Sequence, residues 1–550
     1  MVSIKGLEPI QRHSWLNTGM SLKIFVAWIL ATIAIFYLKN HVSAGTVVNR
    51  QLTPQERQGK QIYLLGSSAS GREITALLGN DTTEVPASAL PCVSCHGYDG
   101  KGRPEGGVLP SDITGDFLMK PYGITHPNGR RHPPYTDRFL RRAIIEGIDP
   151  SGNKLSPVMP VYRFTREEVN NLIVYLKRLG KEKEPGVTDT SILVGAILPG
   201  KGFPSEMAMA MKEVLQSYFH DLNEQGGIYN RRIELRFSVS GDTPAATQAN
   251  AMSLLEEEVF VINGAFIEGS EREIDVLIQE REIPLVGAIT NFPQVDFPLN
   301  RYIFYLFSGV KELSLAMVEF ASEKFGAEDP HIAILSAGGE VFSEITHAID
   351  EQCKKNGWDS RVILTYLHDQ FEAKRLVREM KEKEIDAIFF LCSGNEQKAL
   401  LSEAGRFQWR PFVFIPGPLI DKEILTVSAG FKDKIFLSFP RGPSDMIRAS
   451  VKEYHSFAEK HKIPAQHLPV QIEAYCSAKI LAEGLKRAGK DVSRERLVAV
   501  LEGLYEFETG LTPQITFGPN RRIGALGAYI ASVDPEEKKV ISASDWVKLQ

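Results

Sequence analysis

The sequence predicts a multidomain chain in which an all-α unit precedes an α/β unit, and three observations carry that reading. Residues 52–180 form short helical stretches separated by Gly- and Pro-rich loops. From Ile192 onward, short apolar strands such as Ile192-Leu193-Val194-Gly195-Ala196-Ile197 alternate with helical stretches of a dozen or more residues, the rhythm of a parallel sheet with crossover helices. Between the two, residues 181–190 (KEKEPGVTDT) are charged, hold Pro185 and Gly186, and read as an exposed linker and the main domain boundary.

Composition sets the outer limits. A chain of 550 residues is long enough for about three or four compact units. Hydrophobic residues at 43% and charged residues at 24% are those of a globular protein rather than a disordered or many-span one. The net charge of -5, without a basic stripe interleaved with aromatics, gives no reason to expect nucleic acid as a partner. Five cysteines are too few for a disulfide scaffold. Cys353, Cys392 and Cys476 stand alone and read as small buried apolar side chains.

The first element is the apolar run at residues 24–38 (IFVAWILATIAIFYL), between Lys23 and Lys39. As a helix it spans roughly 22 Å, short of the ~30 Å hydrocarbon core of a bilayer. It fits a secretory signal, with Val42-Ser43-Ala44 as small residues at a cleavage site before Gly45. An uncleaved anchor is the alternative, since a bilayer thins around a short span. Residues 1–44 are therefore expected to be a signal peptide or signal anchor, and both readings put the rest of the chain outside the cytoplasm.

In the next unit, Thr53-Pro54-Gln55-Glu56 opens a helix carrying Gly59, Ile62 and Tyr63. Cys92-Val93-Ser94-Cys95-His96 then gives the C-x-x-C-H sequence that attaches c-type haem. Thiols three residues apart on one helical turn reach two neighbouring vinyl groups, and the following histidine faces the iron. A structural zinc site needs a second ligand pair and a redox C-x-x-C needs a βαβ context, and neither is nearby. Cys92 and Cys95 are thus the covalent haem attachments and His96 one axial ligand. The other is assigned to Met159, in Ser156-Pro157-Val158-Met159-Pro160, where two prolines stiffen the loop. The capping box Thr165-Arg166-Glu167-Glu168 follows, then the apolar stripe Val169, Leu172, Ile173, Leu176 and Leu179, a terminal helix placed to close a haem crevice. His126, His132 and Met119 are rival ligands in loops without such a helix. Thr136 caps a further helix with Phe139, Leu140, Ala143 and Ile144, ending at Gly147.

On CVSCHG, AIIEGIDPSG and MPVYRFTREEVNNLIVYLKRL, residues 52–180 resemble the class I, mono-haem cytochrome c domains. The resemblance implies one covalent haem c and one-electron transfer, with His/Met ligation favouring a raised potential. The segment between Tyr63 and Cys92, with a Gly/Ser loop at residues 66–71, is longer than a compact member has.

The second half carries no H-E-x-x-H or G-x-S-x-G sequence, and Gly200-Lys201-Gly202 lacks the residues that complete a phosphate loop. It resembles, over roughly residues 191–535 of a domain set at 191–540, the type 1 periplasmic solute-binding family that includes the branched-chain amino-acid binding proteins. The pieces are Asn223-Glu224-Gln225-Gly226-Gly227-Ile228, Val261-Ile262-Asn263-Gly264, Ile283-Pro284-Leu285-Val286 and Thr516-Phe517-Gly518-Pro519-Asn520. The resemblance implies two α/β lobes closing on a solute. Carried over by position, the pocket holds Phe203, Glu268, Ser270, Thr290, Glu340 and Ser393. Thr290 keeps a hydroxyl where the family meets a solute carboxylate. The partner serine falls at Ile267, the aromatic positions near Val341 and Ser393, and the acid expected for the α-ammonium at Pro418, with Asp421 nearest. Unpaired buried charges cost several kcal/mol, so the solute is expected not to be a standard amino acid.

These readings combine into an exported, periplasmic electron carrier and binding protein rather than an enzyme, soluble after signal cleavage or held to the inner membrane by residues 24–38. The solute-binding module would sense a small molecule or dock a periplasmic redox partner, a dehydrogenase or oxidase chain. The alternative is the solute-binding protein of an ABC-type uptake system with an accessory cytochrome.

Overall fold

A computed structural model describes residues 52–549, apart from 79–82, 103–109, 181–183, 327, 368–369, 393 and 443–447. The apolar run at 24–38 and the cleavage site lie outside the described residues. Among the described residues no helix is long and apolar enough to cross a membrane.

The first unit is built on the helices α1 (Pro54–Leu65), α2 (Cys92–His96), α3 (Gly115–Leu118), α4 (Asp137–Glu146) and α5 (Arg166–Arg178). Their ends sit where the capping residues dictate. The Thr136 hydroxyl accepts from the Phe139 amide, Gly147 closes α4 in the left-handed region, and Thr165 and Glu168 form a complete capping box on α5. Helices α1 and α5 cross at Gly59, where a Cβ would lie 2.1 Å from the Asn171 carbonyl oxygen. Only glycine allows that approach, and next to it the Tyr63 and Tyr175 rings meet at 5.6 Å.

This unit is not purely helical. The segment before the Cys92–His96 turn forms the antiparallel strands β1 (Thr75–Leu78) and β2 (Thr83–Pro86), and β1 also pairs with β5 (Val161–Tyr162). Strands β3 (Ile124–Thr125) and β4 (Arg131–His132) make a second small pair. Strands β1 and β2 both lie in the long segment between Tyr63 and Cys92, which is thus ordered in part as a hairpin that reaches β5.

The linker is exposed only in part. Residues 188–190 face solvent, but Glu184, Pro185, Gly186 and Val187 are half-buried. Gly186 accepts from the Leu193 amide and, at φ +72°, sits where a Cβ would strike the Phe260 backbone nitrogen at 2.5 Å.

The second unit has the two expected lobes. The first holds a parallel sheet ordered β16-β10-β9-β8-β6-β7: β6 (Ser191–Leu198), β7 (Arg232–Val239), β8 (Val261–Phe266), β9 (Leu285–Ile289), β10 (Ile303–Phe307) and β16 (Ile523–Ala525). Helices α6 (Ser205–Glu224), α7 (Pro244–Glu256) and α8 (Glu271–Arg281) connect its strands. The second lobe is ordered β12-β11-β13-β14-β15-β17-β18, with β11 (Ile332–Ala337), β12 (Arg361–Tyr366), β13 (Ala387–Leu391), β14 (Phe412–Pro416) and β15 (Ile435–Phe439) parallel. Strands β17 (Gly527–Asp534) and β18 (Lys539–Lys548) add to it antiparallel. Its connecting helices are α9 (Val310–Phe325), α10 (Glu340–Lys355), α11 (Ala373–Glu382) and α12 (Gly394–Arg406). The chain then returns to the first lobe through α13 (Arg448–His461), α14 (Leu468–Ala488) and α15 (Arg494–Glu502).

Two of the crossings between lobes are tied together. The buried Ser308 hydroxyl donates to the Ala525 carbonyl at 3.2 Å and accepts from the Gly527 amide at 2.9 Å. Helix α1 also reaches the first lobe. The Lys60 ammonium pairs with Glu282 and lies 3.2 Å from Glu495, which also meets Arg301 at 3.1 Å and accepts from the Tyr302 hydroxyl at 2.8 Å.

Candidate functional site: the haem turn and the interlobe cleft

The Cys92–His96 helix is a single turn and cannot hold its shape alone, because nucleating a turn fixes more dihedrals than it forms hydrogen bonds. Two tyrosines hold its ends. Tyr162 donates to the Leu90 carbonyl at 2.7 Å just before the turn, and Tyr63 donates to the Gly97 carbonyl at 2.6 Å just after it. Gly97, at φ 75°, ends the turn and returns its amide to the Val93 carbonyl.

The donor set fits a covalent haem. Cys92 and Cys95 are both free thiols on this turn. Burial pushes the Cys92 thiol up to about 12, so it is held protonated. His96 Nδ1 lies 2.9 Å from the Ser111 carbonyl oxygen. A carbonyl can only accept, so the proton sits on Nδ1 and the lone pair of Nε2 is left for a metal. Burial lowers the His96 pKa, which keeps the ring neutral as a ligand must be.

Met159 is half-buried in the loop before β5, with its amide donating to the Ser156 carbonyl at 2.9 Å. The two histidine candidates are engaged with each other. His126 and His132 face each other through Nε2 at 2.9 Å, His132 Nδ1 donates to the Pro133 carbonyl, and Arg130 donates to His126 Nε2 at 3.0 Å while pairing with buried Asp149. Met119 packs against the core of this unit.

In the second unit the pocket positions gather at the carboxyl ends of neighbouring strands, where open α/β sheets bind ligands. Phe203 follows β6 and sets its ring edge-on against Phe266 at the end of β8, centroids 4.5 Å apart. Glu268 follows β8 and accepts from the Asn291 amide at 2.7 Å. Thr290 follows β9; its hydroxyl donates to Glu271 at 2.5 Å and accepts from the Phe292 amide at 2.9 Å. Burial pushes the Glu271 carboxyl up. Ser270 is turned inward, buried, with its hydroxyl on Thr247. On the second lobe, exposed Glu340 opens α10, and Asp421 accepts from the Glu423 amide. Ser393 lies outside the described residues.

Several residues here escaped the sequence reading. Arg272 of α8 meets Glu340 of α10 at 3.2 Å, and the Phe292 and Phe342 rings meet edge-to-face at 6.3 Å, both contacts joining the lobes. Lys311 pairs with Asp296 and Glu344, each at 2.8 Å. The only trace in the sequence is the charged run Glu271-Arg272-Glu273 just past a strand end.

Comparison with solved structures gives the same two-lobed fold. A fatty acid ABC transporter substrate-binding protein from Thermomonospora curvata matches at TM-score 0.52 and 17% identity, over 67% of this chain and 95% of that one. A branched-chain amino acid ABC transporter protein from Thermus thermophilus with bound valine matches at 0.51 and 14%, over 66% and 97%. A type 1 periplasmic binding protein from Bordetella pertussis Tohama I matches at 0.51 and 17%, over 64% and 100%. Identities this low speak for the fold alone. No curated protein matches the chain. The family model for cytochrome c matches residues 87–180 and that for periplasmic binding protein matches residues 191–539, so the chain belongs to the periplasmic binding protein family and carries a cytochrome c domain ahead of its two lobes.

Proposed function

We propose that the chain is an exported, periplasmic electron carrier that passes single electrons through one covalent haem, and that its two lobes sense a solute or dock a redox partner such as a dehydrogenase or oxidase chain. The observation that carries this is His96, with Nδ1 committed to the Ser111 carbonyl, Nε2 free and both thiols on the same turn. Cys92, Cys95, His96 and Met159 would hold the haem, which would supply one-electron chemistry when bound. The engagement of His126 and His132 with each other supports Met159 in that role. Tyr63 and Tyr162 hold the ends of the turn, and Pro157 and Pro160 stiffen the methionine loop. With His96 and Met159 both holding the haem, no position on it would be left for a substrate, which favours a carrier over an enzyme.

For the cleft we propose a solute other than a standard amino acid. The Thr290 hydroxyl already donates to Glu271, and Glu268 lies beside it, so a solute carboxylate at that position would meet two acids and a hydroxyl already committed. The second reading, an ABC-type uptake binding protein with an accessory haem unit, is favoured by the two complete lobes and by the neighbours named as ABC transporter proteins. It would bind solute equally well with the haem oxidised or reduced.

The test is mass spectrometry of the full chain made with the cytochrome maturation machinery. One haem mass that survives denaturation, and is lost when Cys92 and Cys95 are both changed to Ala, is the expected result. A protein without covalent haem overturns the proposal.

A further inference from the structure

We propose that the residues between α1 and the Cys92–His96 turn form a clamp that sets the Met159 loop, with Arg72 as its positioning residue. This rests on Met159 being the second axial ligand. The loop leaves the body of the unit at Leu155, whose amide donates to the Gly147 carbonyl. Beyond Pro160 its next anchors come from the inserted segment. Strand β1 pairs Leu77 with Val161 and Ala76 with Tyr162, and the Thr75 carbonyl accepts from the Arg163 amide at 2.9 Å. Arg72 closes the arrangement. One guanidinium nitrogen donates to the Arg163 carbonyl at 3.0 Å, and Nε donates to Glu168 at 3.2 Å as part of a two-pronged ion pair.

Glu168 belongs to the capping box of α5, so Arg72 links the strand leaving the methionine loop to the start of the following helix. A two-residue strand has too few hydrogen bonds to stay in place by itself. Without the insertion, Val161 and Tyr162 would lose their ladder partner, and the loop would be fixed only at its start, where the Leu155 amide meets the Gly147 carbonyl. The clamp's own base is firm, since Ile74 and Ala76 are buried and the Ala87 amide donates to the Ile74 carbonyl. Arg72 itself is partly exposed, so truncating it removes the link without opening the core.

The experiment compares haem-loaded wild type, Arg72→Ala, Arg72→Lys and Met159→Ala in the full chain. Carbon monoxide binds ferrous iron only after a side-chain ligand leaves, so its binding rate reports how firmly the loop is held. We expect Arg72→Ala to raise that rate about tenfold, the effect of losing charge-assisted hydrogen bonds, and to weaken the thioether-to-iron charge-transfer band at unchanged covalent haem content. Arg72→Lys should recover little, because an ammonium cannot serve Glu168 and the Arg163 carbonyl in the same geometry. Amide exchange at residues 161–163 should quicken in Arg72→Ala, a readout that does not depend on the iron. A rate within twofold of wild type, with exchange unchanged, overturns the clamp. A charge-transfer band that survives in Met159→Ala overturns the axial assignment instead.

Discussion

The haem turn and the interlobe cleft are held in opposite ways. Around Cys92–His96 the holding contacts are short, internal and shielded: a tyrosine at each end and a carbonyl behind the histidine. Across the cleft the lobes meet through the exposed pair Arg272–Glu340 and through half-buried Lys311 with exposed Asp296. Contacts of the first kind resist rearrangement, which suits the electron-carrying role proposed for this turn. Contacts of the second kind break cheaply in water, which suits surfaces that must part to admit a solute. One chain thus pairs a site built to stay still with a site built to open.

Three substitutions or titrations sharpen this contrast, beginning with the largest effect. Lys60→Ala leaves Glu495 buried with Arg301 as its remaining cation, and breaking a buried pair by removing one partner costs about 3 kcal/mol. Urea unfolding should therefore show a lower midpoint, and an unchanged midpoint would mean that the helix α1 contact is loose. The second is a pH effect. Burial opposes the charge on Glu168, but hydrogen bonds from Arg72, the Thr165 amide and Ser68 overcome it and hold the carboxyl at about 2 instead of 4.5. Its folded pKa is depressed, so its stabilisation is complete above about pH 4.5 and is lost as pH falls through that value toward 2. Glu168→Gln should flatten the acid limb of the unfolding curve between those limits, and a curve parallel to wild type would remove Glu168 as its cause. The smallest effect is Arg272→Ala. Both partners of that pair are largely exposed, so stability should change by less than about 1 kcal/mol, while small-angle scattering of the free protein shows a wider spread of lobe openings. A large fall in melting temperature would place that pair among the rigid contacts instead.

What could be read in the residue order was whatever neighbours along the chain decide together. The caps at Thr136 and Thr165, the Gly147 stop and the Cys92–His96 turn are each settled within a few residues, and each is found where expected. The strand pairing of Ala76 with Tyr162 joins distant segments, and nothing local in either one names the other. The same holds in the cleft. Thr290 is visible as a hydroxyl at a strand end, but its commitment to Glu271 follows from β8 and β9 being neighbours in the sheet. Ser270 is polar and follows a strand, yet the start of α8 rotates it toward Thr247. The linker looked exposed by composition, and it is the geometry of Gly186 against Phe260 that seats its central residues.

Helix α1 carries Lys60 and Tyr63 one turn apart, the first in the ion cluster of the lobe and the second on the carbonyl beside His96. The two halves are consequently not interchangeable cassettes. Cutting the gene at the linker would strip Glu495 of its lysine in one product, and grafting a different haem unit onto these lobes would require a helix bearing a cation and a phenol at the same spacing.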